Sequence, residues 1–187
     1  MRLILQVFAL VFLASYLAIA ADTMHELQMS LADRFIVSES EKWNVEVEKV
    51  LSFRFADVRI TPKTDSSFSL MLYFKCDTSD LSQFDTAHKI ENSVRLSSEK
   101  YLPYITEKKI EIKQLNPKGW YGCYTILTDK QLASTDNVPN GEFKYITRGM
   151  IRLSPDSALG FSLMTNTLNS PQYNELIDYI CSFAKDK

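Results

Sequence analysis

The chain has 187 residues, with 21 Lys and Arg against 23 Asp and Glu, a formal charge of −2. That balance excludes a protein that holds nucleic acid or anionic membrane by bulk positive charge. Only five glycines are present, and they are too scattered to form a glycine-rich phosphate cradle.

Residues 1–20 read as a signal peptide. Arg2 supplies the positive start, an apolar stretch runs from Val7 to Ala14, and Ala18-Ile19-Ala20 is a small-x-small cleavage site. A membrane anchor is the competing reading, since Leu3 to Ala21 is nearly long enough to span, but Gln6, Ser15 and the small-residue exit favour cleavage. No cysteine follows the apolar run to carry a lipid. Cleavage leaves 167 residues from Ala21 with 20 basic against 23 acidic side chains, a formal charge of −3. That length suits one domain, and no linker, repeat or low-complexity tract divides it. The expected organisation is therefore a signal peptide over 1–20 and a single domain over 21–187, exported to a periplasm or the extracellular medium and free of the membrane after cleavage. The absence of an Asn-x-Ser/Thr acceptor favours a bacterial envelope.

In chain order, Thr23 and Glu26 have capping-box spacing, and Met24, Leu27, Leu31 and Phe35 recur at helical intervals, which predicts a short N-terminal helix. Val45, Val47, Leu51, Phe53 and Phe55 then alternate with polar residues as a half-buried strand. The apolar register changes to Val58 and Ile60, placing a turn or bulge near Ala56-Asp57. The clearest strand follows, with Phe68, Leu70, Leu72, Phe74 and Cys76 on one face and Ser69, Met71, Tyr73 and Lys75 on the other.

Asp77 to Asp80 offers helix-start residues, and Phe84, Ala87, Ile90, Val94, Ser97 and Tyr101 make a helical stripe that ends near Pro103. Glu107 to Leu115 and Trp120 to Thr128 read as strands joined by the turn formers Asn116-Pro117-Lys118-Gly119. Phe143 to Leu153 and Leu159 to Thr165 read as a hairpin bent at Ser154-Pro155-Asp156. Pro171 opens a final helix whose apolar face is Tyr173, Leu176, Ile177, Ile180, Cys181 and Ala184. Strands broken by two helices, with hairpin-length connections, predict an α+β fold: a mostly antiparallel sheet of six to seven strands, a crossing helix and a C-terminal helix packed on it, besides the short N-terminal helix.

This order of elements resembles the PsbP-like fold, also seen in DcrB-like envelope proteins. The resemblance is carried by Phe68 to Phe74, the strands from Glu107 to Thr165, and Tyr173 to Phe183. It implies a noncatalytic accessory or binding role and transfers no functional residue. The Pro-Gly-Trp type turn usual before that family's first helix has no counterpart in Pro62-Lys63-Thr64.

The residues that could carry chemistry are few. His25-Glu26 begins like a zincin helix, but Met29 stands where the second histidine is needed, and no cofactor or metal set is legible. His88 lies one turn after Asp85, which an ordinary ion pair explains. Ser97-Ser98-Glu99-Lys100 satisfies the bare Ser-x-x-Lys spacing, yet its partner motifs Ser-Asp-Asn and Lys-Thr-Gly are absent, and a helix-end lysine is the plainer reading. No catalytic residue is assigned. Cys76, Cys123 and Cys181 permit one disulfide, between any two of them. Trp120, Gly122 and Tyr124 share a strand face with a glycine that permits close approach. If open, that face is the best contact surface; if a helix covers it, it is core. The leading expectation is a noncatalytic exported binding or accessory protein with a protein partner in the envelope. The alternatives are an inhibitor or immunity protein that neutralises a toxin or enzyme, and an envelope hydrolase.

Overall fold

Alternation of large apolar with polar residues is expressed as strands wherever two such runs can pair. The computed structural model describes residues 24–28, 34–51, 55–76, 84–115, 117, 119–154 and 156–184. Its strands are β1 (Met24–Gln28), β2 (Arg34–Ser38), β3 (Trp43–Leu51), β4 (Phe55–Pro62), β5 (Phe68–Cys76), β6 (Lys113–Leu115), β7 (Gly122–Thr128), β8 (Tyr145–Ser154) and β9 (Ser157–Thr165). Its helices are α1 (Ala87–Glu99) and α2 (Pro171–Ser182), with a 3₁₀ turn over Leu102–Tyr104.

The fold is α+β, with a seven-stranded antiparallel sheet in the order β3-β4-β5-β9-β8-β7-β6 and a separate β1-β2 pair. Two meanders, β3-β4-β5 and β6-β7-β8-β9, meet where β5 pairs with β9, and α1 carries the chain from the centre of the sheet to its far edge. The central register sets Leu70 opposite Leu163, Leu72 opposite Phe161 and Phe74 opposite Leu159, so the large apolar side chains of both strands share one face.

On that face lie α2, through Tyr173, Leu176, Ile180 and Phe183, and the β1-β2 pair, through Leu27, Phe35 and Val37. The aromatic packing is continuous. Phe35 and Phe74 have ring centroids 5.1 Å apart, Phe74 and Phe183 5.4 Å, Phe183 and Tyr179 5.2 Å, and Tyr179 and Trp43 5.5 Å. Helix α2 starts where it does because Ser170 accepts the Tyr173 N–H and Pro171 needs no amide partner at the first turn. Gly149 lets this face close: a Cβ there would run into the ring of Phe161 and come within 2.6 Å of the Cys123 carbonyl oxygen.

On the other face α1 packs chiefly on β7 and β8. Ile90, Val94 and Phe84 meet Cys123, Met150 and Ala158, and beyond the helix Ile105 and Ile110 cluster with Leu127. The part of that face on β3 to β5 has exposed Glu46 and Arg59 and half-buried Met71, Tyr73 and Lys75. No helix among the described residues is long and apolar enough to cross a membrane.

Four local expectations are corrected. The N-terminal helix is absent: Met24–Gln28 is a strand paired with Arg34–Ser38. The stretch Phe35-Ile36-Val37 is rich in strand formers, and pairing buries Leu27, Phe35 and Val37 against the main core, where period two serves better than a helical stripe. The first long strand is two, since Ala56 lies within β4 and pairs with Val50, while the irregularity falls between Val47 and Lys49. Of Glu107 to Leu115 only Lys113–Leu115 is strand. Upstream, the Glu107 carboxylate accepts the N–H and the hydroxyl of Thr128, beside an isolated backbone bridge between Ile105 and Asp129. Helix α1 begins at Ala87, capped by Thr86, whose hydroxyl accepts the Lys89 N–H. The start residues expected at 77–80, like the signal peptide over 1–20, lie outside the described residues.

Candidate functional site

Strand β7 alternates its side chains across the sheet, and that alternation builds the aromatic rim. Gly122 faces Ile151 and Tyr124 faces Gly149, both on the α2 side, while Cys123 pairs with Met150 beneath α1. Gly122 is buried, and a Cβ there would lie 3.1 Å from Ile151 Cγ1 and 3.2 Å from Leu115 Cβ. Trp120 and Tyr124 are half-buried and pack with Leu115 on the margin of the main core. The Trp120 N–H donates to the Pro117 carbonyl in a turn that Gly119 completes with φ of +80°. The Arg152 guanidinium stands 5.3 Å from the Trp120 ring centroid. Because β6 is only three residues long, these aromatics sit at the end of the sheet, with part of each ring in the core and part reaching solvent.

The structure contains no disulfide between Cys76, Cys123 and Cys181. Cys76 ends β5 on the α2 side, and Cys181 is half-buried on α2 itself. Cys123 lies across the sheet from both, which separates it from either of the other two thiols. Burial pushes the Cys123 thiol up to about 12, and the Glu91 carboxylate adds to the rise, while a hydrogen bond with Tyr121 and the Arg95 charge only partly offset it. Burial and then Asp178 raise Cys181 as well. Both remain protonated thiols at neutral pH and make poor nucleophiles. The Tyr121 hydroxyl, itself raised by burial, donates to Glu91.

The other candidates are separated. His25 Nε2 lies 3.6 Å from Glu39 Oε1 on the β1-β2 pair, whereas His88 is exposed in the first turn of α1. Asp85 pairs with Lys89 at 2.9 Å, so the partner expected to be His88 is the next residue along. The Ser97 hydroxyl donates to the Val94 carbonyl at 3.1 Å, and Lys100 Nζ stands 5.1 Å from the Tyr101 ring centroid, which leaves the Ser-x-x-Lys pair unengaged. Among the described residues no cluster of three His, Cys, Asp or Glu could hold a metal.

A second feature was not legible in the sequence. Beside α1 the sheet holds a small cavity of about 70 Å³ lined by Lys75, Ser93, Ser97, Arg148, Met150 and Gly160, among others. Arg148 Nη1 donates to the Tyr101 hydroxyl at 3.2 Å, and the guanidinium stands 5.1 Å from the Tyr101 ring centroid. Arg148 Nε and the Oγ of its cross-strand neighbour Ser162 are buried without a hydrogen-bond partner. A wider hollow of about 440 Å³, lined by Asp136, Asn137, Lys144 and Asn166, has its one cation engaged, since Lys144 Nζ donates to the Thr135 carbonyl.

No family model matches the sequence. No curated protein matches it either. Among solved structures, the chain is similar to that of cyanobacterial PsbP (CyanoP) from Synechocystis sp. PCC 6803, with 12% identity, coverage of 88% of this chain and 93% of that one, and a TM-score of 0.49. That likeness brings no functional residue across.

Proposed function

We propose that the mature chain is a noncatalytic accessory protein that acts outside the cytoplasm, after loss of residues 1–20, by binding a protein partner at the Trp120–Tyr124 rim. The observation that carries this reading is the rim itself: two large aromatics on either side of the buried Gly122 along the chain, each packed against the main core and half-exposed, with Leu115 against the glycine. Rings held in place by the core lose little side-chain freedom on binding, which is why Trp and Tyr dominate contact energies. Supporting it, the thiols of Cys123 and Cys181 are held protonated, the Ser97 hydroxyl is bonded to backbone, and the two histidines are on separate elements.

The test is gentle affinity purification of the tagged chain from its own envelope fraction, followed by gel filtration and intact mass. The reading expects cleavage after Ala20 and a stoichiometric partner that co-elutes with the wild type and is lost from a W120A/Y124A variant with an unchanged circular dichroism spectrum. A partner retained by the folded variant, or a wild type that elutes alone, overturns the rim as contact surface.

A further inference from the structure

We propose that the cavity beside α1 is a binding site for a small tetrahedral oxyanion of the phosphate or sulfate type. Three observations converge on it. The first is composition: Lys75 and Arg148 bring two cations, Ser93 adds a hydroxyl, and no carboxylate lines the cavity. Among the described residues neither cation is in an ion pair. Two cations gathered in one partly enclosed place repel each other more strongly than they would in water, and an anion between them reverses the sign of that interaction.

The second observation is orientation. Tyr101 holds Arg148 from one side, accepting from Nη1 and stacking beneath the guanidinium. A guanidinium fixed in this way is preorganised, and its remaining donors form the planar fork that matches two oxygens of an oxyanion. The third is the pair of unpartnered buried polar atoms. Arg148 Nε and Ser162 Oγ are on adjacent strands, and β9 runs from Ser162 to Gly160 on the cavity wall. Buried polar atoms of this kind are rare and costly when unmet, and of the two residues Arg148 is the one that lines the cavity, where its guanidinium has donors left for an anion. The cavity, at about 70 Å³, is several times the roughly 10–15 Å³ that admits one water, which suits one polyatomic ion or the terminal group of a larger molecule. Gly160 keeps the sheet low there, with Tyr73 alongside.

This site lies on the α1 side of the sheet, across from the rim, and stands whether or not the rim binds a partner. Inorganic phosphate and sulfate are titrated into the mature protein by calorimetry and by NMR of the arginine Nε–H signals, at constant ionic strength set with chloride. The proposal expects saturable binding of phosphate or sulfate, a shifted Arg148 Nε–H resonance, and affinity weakened about tenfold or more in K75Q and in R148Q. R148K serves if R148Q does not fold, because lysine keeps the charge without the fork and still weakens binding. Glycerol phosphate is run in parallel: tighter binding of inorganic phosphate identifies the free ion, and tighter binding of glycerol phosphate identifies a group carried on a larger molecule. No saturable response, or one that chloride reproduces or that K75Q and R148Q leave unchanged, overturns the proposal.

Discussion

The two faces of the sheet are built on different principles. Beneath α2 the interior is a run of touching aromatic rings with a buried polar contact, the Thr147 and Tyr173 hydroxyls 3.0 Å apart. Beneath α1 the apolar clusters are smaller and carry Ser98 Oγ, Ser162 Oγ and Arg148 Nε as buried polar atoms with no partner, whereas the aromatic run beneath α2 carries one, the Tyr179 hydroxyl. The first face has the hallmarks of a stability core. The second tolerates unmet polar groups, which a fold keeps at a cost in stability and which concentrate where ligands are held.

Substitutions that break the contrast should scale accordingly. Phe74→Ala, at the meeting point of Phe35 and Phe183, is expected to cost about 3–5 kcal/mol in denaturant unfolding, a large share of the roughly 5–15 kcal/mol that stabilises a domain. Gly149→Ala should cost about 1–3 kcal/mol, because Phe161 and the Cys123 carbonyl must both move. Thr147→Val strands the Tyr173 hydroxyl and should lose about 1–2 kcal/mol, whereas Ser162→Ala, which removes an unpartnered hydroxyl on the other face, should stay within about 0.5 kcal/mol of wild type. Equal losses from the last two variants would erase the distinction between the faces.

A pH titration sharpens it further. The folded-state pKa of Cys123 is raised from an ordinary value near 9 to about 12. The unfolded chain therefore releases this proton first, and the stability present below pH 9 is lost as pH rises toward about 12. Tyr121 is raised in the same direction, chiefly by burial. The melting temperature should fall through this alkaline window, and the fall should be shallower in Cys123→Ala. An identical slope in the variant would mean the thiol does not feel the α1 face as described.

Much of the architecture was legible because local and tertiary signals agreed. Strand β5 shows unbroken alternation from Phe68 to Cys76, and α2 combines Pro171 at its first turn with an apolar face. The common face of Trp120, Gly122 and Tyr124 follows from strand periodicity alone, but its half-covered state does not, since that depends on how far α2 and the short β6 extend. The N-terminus misled because Met24, Leu27 and Phe35 fit a helical spacing equally well, and only the partner across the β1-β2 register decides. Spacing alone offers Asp85 either His88 or Lys89, and the fold pairs it with Lys89. The cavity was out of reach for a different reason. Lys75, Ser93, Ser97 and Arg148 are each unremarked polar residues on their own elements, and only the β5-β9-β8 order together with the path of α1 gathers them.

The assignment of partner binding to one face and anion binding to the other is tested most directly by running the envelope purification on W120A/Y124A and R148Q side by side. The account predicts that the first loses the co-eluting partner and the second retains it in full. A partner lost from R148Q and kept by W120A/Y124A, with both variants folded, would contradict it.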